Sequence, residues 1–99
     1  MIQVPVEAIP NQTFGVRLDN ERYSLTLKAI DDNVAVTIVR DGVTLVSNQR
    51  AVAGSPLLPY TYLESGNFIF VTENDEAPSW RLFNATQFLV YLTASEVAT

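Results

Sequence analysis

The stretch Arg22-Tyr23-Ser24-Leu25-Thr26-Leu27-Lys28-Ala29 alternates apolar and polar residues without a break. Tyr23, Leu25, Leu27 and Ala29 fall on one side and Arg22, Ser24, Thr26 and Lys28 on the other, the period of two that gives a β-strand one core face and one wet face. Working outward, Thr13 to Leu18 reads as its hairpin partner, joined through Asp19-Asn20, residues that tolerate the positive φ of a tight turn. On the other side Asp31-Asp32-Asn33 interrupts the pattern. Val34 to Arg40 then resumes it with Val34, Val36, Thr37, Ile38 and Val39, apolar on both faces and so expected in the interior of a sheet. Asp41-Gly42 is a second hairpin signal, returning the chain through Val43 to Ser47.

Further along, Gly54, Pro56 and Pro59 deny Asn48 to Tyr62 a continuous ladder of backbone hydrogen bonds, and this segment reads as a long, partly extended connection. After a turn at Glu64-Ser65-Gly66-Asn67, the run Phe68 to Thr72 is a strand apolar enough to be expected covered on both faces. Glu73 to Pro78 reads as a solvated acidic loop, Trp80 to Phe83 as a short strand re-entering the core, and Phe88 to Thr93 as the closing strand. Ala94 to Thr99 reads as a loose tail. The expectation is one all-β domain over 1–99, an antiparallel β-barrel or sandwich of about seven strands with little or no helix, and an extended N-terminal arm over 1–10.

The composition limits what such a domain can do. Of its 99 residues 47% are hydrophobic and 17% charged, with a net charge of −5, no cysteine and no histidine. Apolar content of this order folds, and 99 residues hold one core. The missing thiols and imidazoles remove disulfides, thiolate or imidazole metal sites and the usual serine or cysteine triads. One lysine, Lys28, and five scattered arginines under a net negative charge speak against nucleic-acid binding. No run approaches the roughly 20 apolar residues of a membrane-spanning helix. Met1-Ile2-Gln3-Val4-Pro5 lacks the basic start and apolar core of a signal peptide, so synthesis in the cytoplasm is expected.

The carboxylates support little catalysis. Asp41-Gly42-Val43 lacks the hydroxyl residue of an aspartic-protease loop and reads as a turn. Asp31, Asp32, Glu73, Asp75 and Glu76 lie in turn-like clusters, where carboxylates stay solvated and untuned for glycoside hydrolysis. Glu73-Asn74-Asp75-Glu76 lacks the alternating acidic loop that ends in a bidentate glutamate in calcium sites. No enzyme activity, cofactor or metal is expected. Tyr60, Tyr62 and Trp80 suit either a buried contact or the stacking platform of a small carbohydrate- or ligand-binding module, which stands as the alternative reading.

Several ordered segments carry a resemblance. Ile9-Pro10-Asn11-Gln12-Thr13-Phe14, Val16-Arg17-Leu18-Asp19, Tyr23-Ser24-Leu25-Thr26-Leu27, Arg40-Asp41-Gly42, Leu57-Leu58-Pro59-Tyr60, Leu63 to Phe68, Trp80 and Thr86 to Leu92 together resemble the baseplate plug proteins of contractile-tailed bacteriophages. Their order and spacing over nearly the whole chain carry the match. The resemblance implies a virion component of the tail baseplate, a plug or adaptor packed around the tail axis against hub, tube or wedge proteins, as a homo-oligomer and without catalysis. It supplies no active-site motif.

Two proline-bearing segments are expected to lie along neighbours, because neither can complete a central strand. The candidate contact residues are Ile2, Val4, Pro5, Ile9 and Pro10 in the first, Pro56, Leu57, Leu58, Pro59, Tyr60 and Tyr62 in the second, and Trp80. On this reading residues 1–8 could be deleted with the body left folded.

Overall fold

A computed structural model describes residues 2–18, 21–30, 33–58, 66–73, 76–93 and 96. Among the described residues seven strands form, in the order β1 (Ile2–Val4), β2 (Asn11–Leu18), β3 (Glu21–Ile30), β4 (Asn33–Arg40), β5 (Val43–Arg50), β6 (Asn67–Thr72) and β7 (Gln87–Leu92). They make two antiparallel sheets, a meander β2-β3-β4-β5 and a three-stranded sheet β1-β7-β6. The sheets are not closed into a barrel, and the architecture is an all-β sandwich.

The founding hairpin has the expected register, Phe14 opposite Leu25 and Val16 opposite Tyr23. Leu25 then faces Ile38, and Leu27 faces Val36, across β3 and β4. β4 lies inside its sheet, as its two-sided apolar pattern requires. Asp41 and Gly42 have φ of 50° and 83°, the pair of left-handed residues that a two-residue hairpin turn with matching twist demands. The turn is tied back to β3, since the Asp41 amide donates to the Arg22 carbonyl at 2.9 Å and the Asp41 carboxylate accepts from the Arg22 amide at 3.2 Å.

Between the sheets lies one core. Tyr23, Leu25 and Leu27 from β3, Val36 and Ile38 from β4, Phe68 and Phe70 from β6, and Leu89 and Tyr91 from β7 are fully buried in it. At its centre the rings of Tyr23, Phe68 and Tyr91 meet pairwise, with centroids 5.0–5.8 Å apart and planes tilted or edge-on, the favoured geometry for aromatic quadrupoles. Gly66 admits this cluster. A Cβ there would collide with the Tyr91 hydroxyl end and the Leu92 carbonyl. Gly66→Ala is accordingly expected to cost about 1–3 kcal/mol through overpacking, read as a lower urea midpoint with an unchanged slope.

The strand count matches the sequence reading but two members differ. Trp80–Leu82 is a turn of 3-10 helix and not a strand, because its backbone bonds are local: the Leu82 amide donates to the Ser79 carbonyl and the Phe83 amide to the Trp80 carbonyl. In its place Ile2–Val4, expected to be part of an extended arm lying along a neighbour, pairs with Leu89–Tyr91 as the edge strand β1. β5 also runs on to Arg50, past a shift of register beside Asn48, whose φ is 51°. Finally, this chain by itself covers only one face of β6: Phe68 and Phe70 are buried, but Val71 on the opposite face is 41% exposed. β6 sits at a sheet edge, and the apolar, β-branched residues there satisfy strand preference without requiring a second layer.

Candidate interaction surfaces

The first expected contact segment divides into core and surface. Val4 points between the sheets and is 1% exposed, and Val6 is buried beside it. The side-chain amide of Asn84 donates to the Val6 carbonyl and ties the segment to the loop before β7. Val4 is therefore a core residue of this chain and not a contact for another, since β1 places it opposite Leu89. Ile2, Pro5, Ile9 and Pro10 are exposed. The loop carrying Ile9 and Pro10 is closed at its base by Gln12, whose side chain accepts from the Glu7 amide at 3.0 Å and donates to the Glu7 carbonyl at 2.7 Å. That bond pair holds the two exposed apolar residues in a defined turn.

The second segment behaves similarly. Pro56 is exposed, but Leu57 and Leu58 are each 3% exposed and belong to the core, contrary to the expectation that they face a neighbour. They are clamped onto β6. The Leu57 amide donates to the Phe68 carbonyl at 2.9 Å, and Gly54 donates to the Phe70 carbonyl at 2.9 Å, so residues 54–57 occupy the outer edge of β6. The clamp is completed by Asn67, a buried amide whose place in the Glu64-Ser65-Gly66-Asn67 turn signal carries no hint of this role. Its Oδ1 accepts from the amides of Leu58 (2.9 Å) and Phe68 (2.8 Å), and its Nδ2 donates to the Leu58 carbonyl (3.1 Å). Asn67→Leu would keep the volume and strand three backbone groups in an apolar setting, at an expected cost of about 2–3 kcal/mol measurable by urea unfolding. Pro59, Tyr60 and Tyr62 lie outside the described residues.

Trp80 is half-buried and packs against the core. The Arg81 guanidinium sits 4.7 Å from its ring centroid, a cation–π contact. That contact occupies ring surface that a stacked sugar would need. A second buried amide, Gln87, anchors the neighbouring loop: it accepts from the Ser79 amide at 2.7 Å and donates to the Ala77 carbonyl at 3.0 Å. Glu73 and Glu76 flank that loop on the surface, while Asn74 and Asp75, like Asp31 and Asp32, lie outside the described residues. Among the described residues no three acidic side chains gather where they could hold a metal, and no helix is long and apolar enough to cross a membrane.

Among the described residues the two sheets have four edges, of which three are short or obstructed. β6 is covered by residues 54–57, β1 is three residues long, and β5 is broken by register shifts. β2 is different, with eight residues paired to β3 in unbroken register. Beside it runs an open groove of about 430 Å³ between Pro5–Glu7 and Gln12–Gly15.

These features define a class: a compact two-sheet sandwich whose distinctive surface is made of strand edges and exposed apolar side chains. A comparison with family models gives the specific assignment. The family described as cyanophage baseplate Pam3 plug gp18 matches residues 1–95. The chain belongs to this phage baseplate plug family, whose members are structural parts of the virion tail. No curated protein matches the chain.

Proposed function

We propose that the chain is a plug or adaptor subunit of a phage tail baseplate, packed around the tail axis against hub, tube or wedge proteins, with no catalytic activity of its own. The observation that carries this reading is the family match over residues 1–95, which takes in every strand of the sandwich. The physical character of the surface supports it. Ile2 and Ile9 near the N-terminus, Val52 in the connection and Val71 on the outer face of β6 are exposed apolar residues that cost free energy in water and gain it under a neighbour. On this reading Ile2, Pro5, Ile9, Pro10 and Pro56 remain contact residues. Val4, Leu57 and Leu58 act indirectly, by holding those surfaces in shape.

Co-expression with the hub, tube and wedge proteins of a contractile-tailed phage that carries this chain, followed by native mass spectrometry, tests the reading. A stoichiometric complex with at least one of them is expected, weakened when Ile9 and Pro56 are replaced together by aspartate and lysine. A chain that stays separate from all three under conditions where they assemble with one another contradicts it.

A further inference from the structure

The hydrogen-bonding phase of β2 follows from its neighbours. The Ala29 amide donates to the Pro10 carbonyl at 2.8 Å. Antiparallel pairs alternate between bonded and non-bonded, so Gln12, Phe14, Val16 and Leu18 are the residues bonded to β3. The amides and carbonyls of Thr13, Gly15 and Arg17 then point away from the sheet, and among the described residues nothing pairs with them. Phe14 and Val16, whose side chains turn toward the core, are only partly buried.

Gly15 sharpens the picture. Glycine inside a strand loses packing and costs conformational entropy, and it otherwise marks a bulge, a positive φ or a close approach by another backbone. The register through Gly15 is continuous, its φ is not positive, and an added Cβ would meet only the Tyr23 carbonyl at an ordinary 3.8 Å. Nothing in this chain's own packing calls for glycine there.

We infer that β2 is a strand-addition edge and that its occupant is β2 of a second copy of this chain, antiparallel and centred on Gly15. In that register Gly15 faces Gly15 of the second copy, and Thr13 faces Arg17. Phe14 meets Val16 on the inner side, and both half-covered side chains close over. No like charges stand opposite one another, a condition such pairs must meet. Arg17, exposed and without an ion pair among the described residues, comes alongside the groove that Glu7 borders in the other copy. The eight-residue ladder becomes part of one continuous eight-stranded sheet across a twofold axis. This pairing stands on the geometry of β2, independently of the baseplate assignment.

Sedimentation velocity and native mass spectrometry of the full chain, up to about 1 mM, test it. The wild type is expected to form a reversible dimer. Gly15→Pro removes an outward amide without touching the β2–β3 ladder, and is expected to weaken the dimer at least about tenfold while leaving the circular dichroism unchanged. A second variant keeps the glycine: Thr13→Cys with Arg17→Cys places thiols on Cα atoms about 5.5 Å apart across the axis, within disulfide reach. In this cysteine-free chain the double variant is expected to cross-link into dimers under mild oxidation, and Thr13→Cys alone is not. A wild type that stays monomeric up to that concentration, an odd-numbered assembly, or a dimer whose double variant fails to cross-link overturns the inference.

Discussion

Removal of residues 1–8 is expected to destabilise the whole sandwich and not to trim a dispensable arm. The deletion takes out β1, which pairs with Leu89–Tyr91, and with it two buried valines, Val4 and Val6. Fully burying a valine contributes about 1.5–3 kcal/mol, so the loss amounts to about 3–6 kcal/mol before the newly exposed edge of β7 is counted. A domain of this size holds only about 5–15 kcal/mol in all. The urea midpoint of the shortened protein is therefore expected to fall by about a fifth at the least, and at the lower end of that stability range the protein would already be partly unfolded in buffer. A midpoint equal to that of the full chain would mean that residues 1–8 are a dispensable extended arm and that β1 adds nothing to the stability of the sandwich.

Phe68→Ala is the second large effect. Phe68 is wholly buried, and its ring sits 5.2 Å from that of Tyr23 and 5.0 Å from that of Tyr91, so it joins the meander to the three-stranded sheet. Truncating such a side chain costs about 3–5 kcal/mol, because the apolar contact is lost and the cavity closes only partly. The aromatic geometry adds to the area term. Val71→Ala, three residues on and facing outward, provides the control and is expected to shift stability by no more than about 0.5 kcal/mol. Equal losses at the two positions would show that β6 is covered on both faces after all.

The meander was legible because each of its strands carries its own signal. Arg22 to Ala29 alternates strictly, Val34 to Arg40 is β-branched on both faces, and Asp41-Gly42 selects a turn whose φ values the structure reproduces. Each of those features is local. The three-stranded sheet depends on contacts between distant parts of the chain, and there local pattern says less. Ile2–Val4 is too short to show a period and carries a proline directly after it, yet pairing with β7 makes it a strand. Trp80 to Phe83 has strand-like composition, but the buried Gln87 side chain draws Ala77 and Ser79 into a compact loop and leaves a helical turn. Leu57 and Leu58 follow the same logic. Their prolines mark a segment that cannot join a sheet along its length, and the sequence does not show that Asn67 fastens it to the edge of β6. The candidate segments were thus half visible: irregular, apolar stretches stood out, while the division between side chains left exposed and those facing the core needed the fold.

The most direct measurement of the central claim is cryo-electron microscopy of purified phage tails that carry this protein. The account predicts density within the baseplate, near the tail axis, into which the three-stranded and four-stranded sheets fit with the Ile9 loop and Pro56 against neighbouring subunits. Complete baseplates without such density, from particles in which mass spectrometry also finds no trace of the chain, would contradict it.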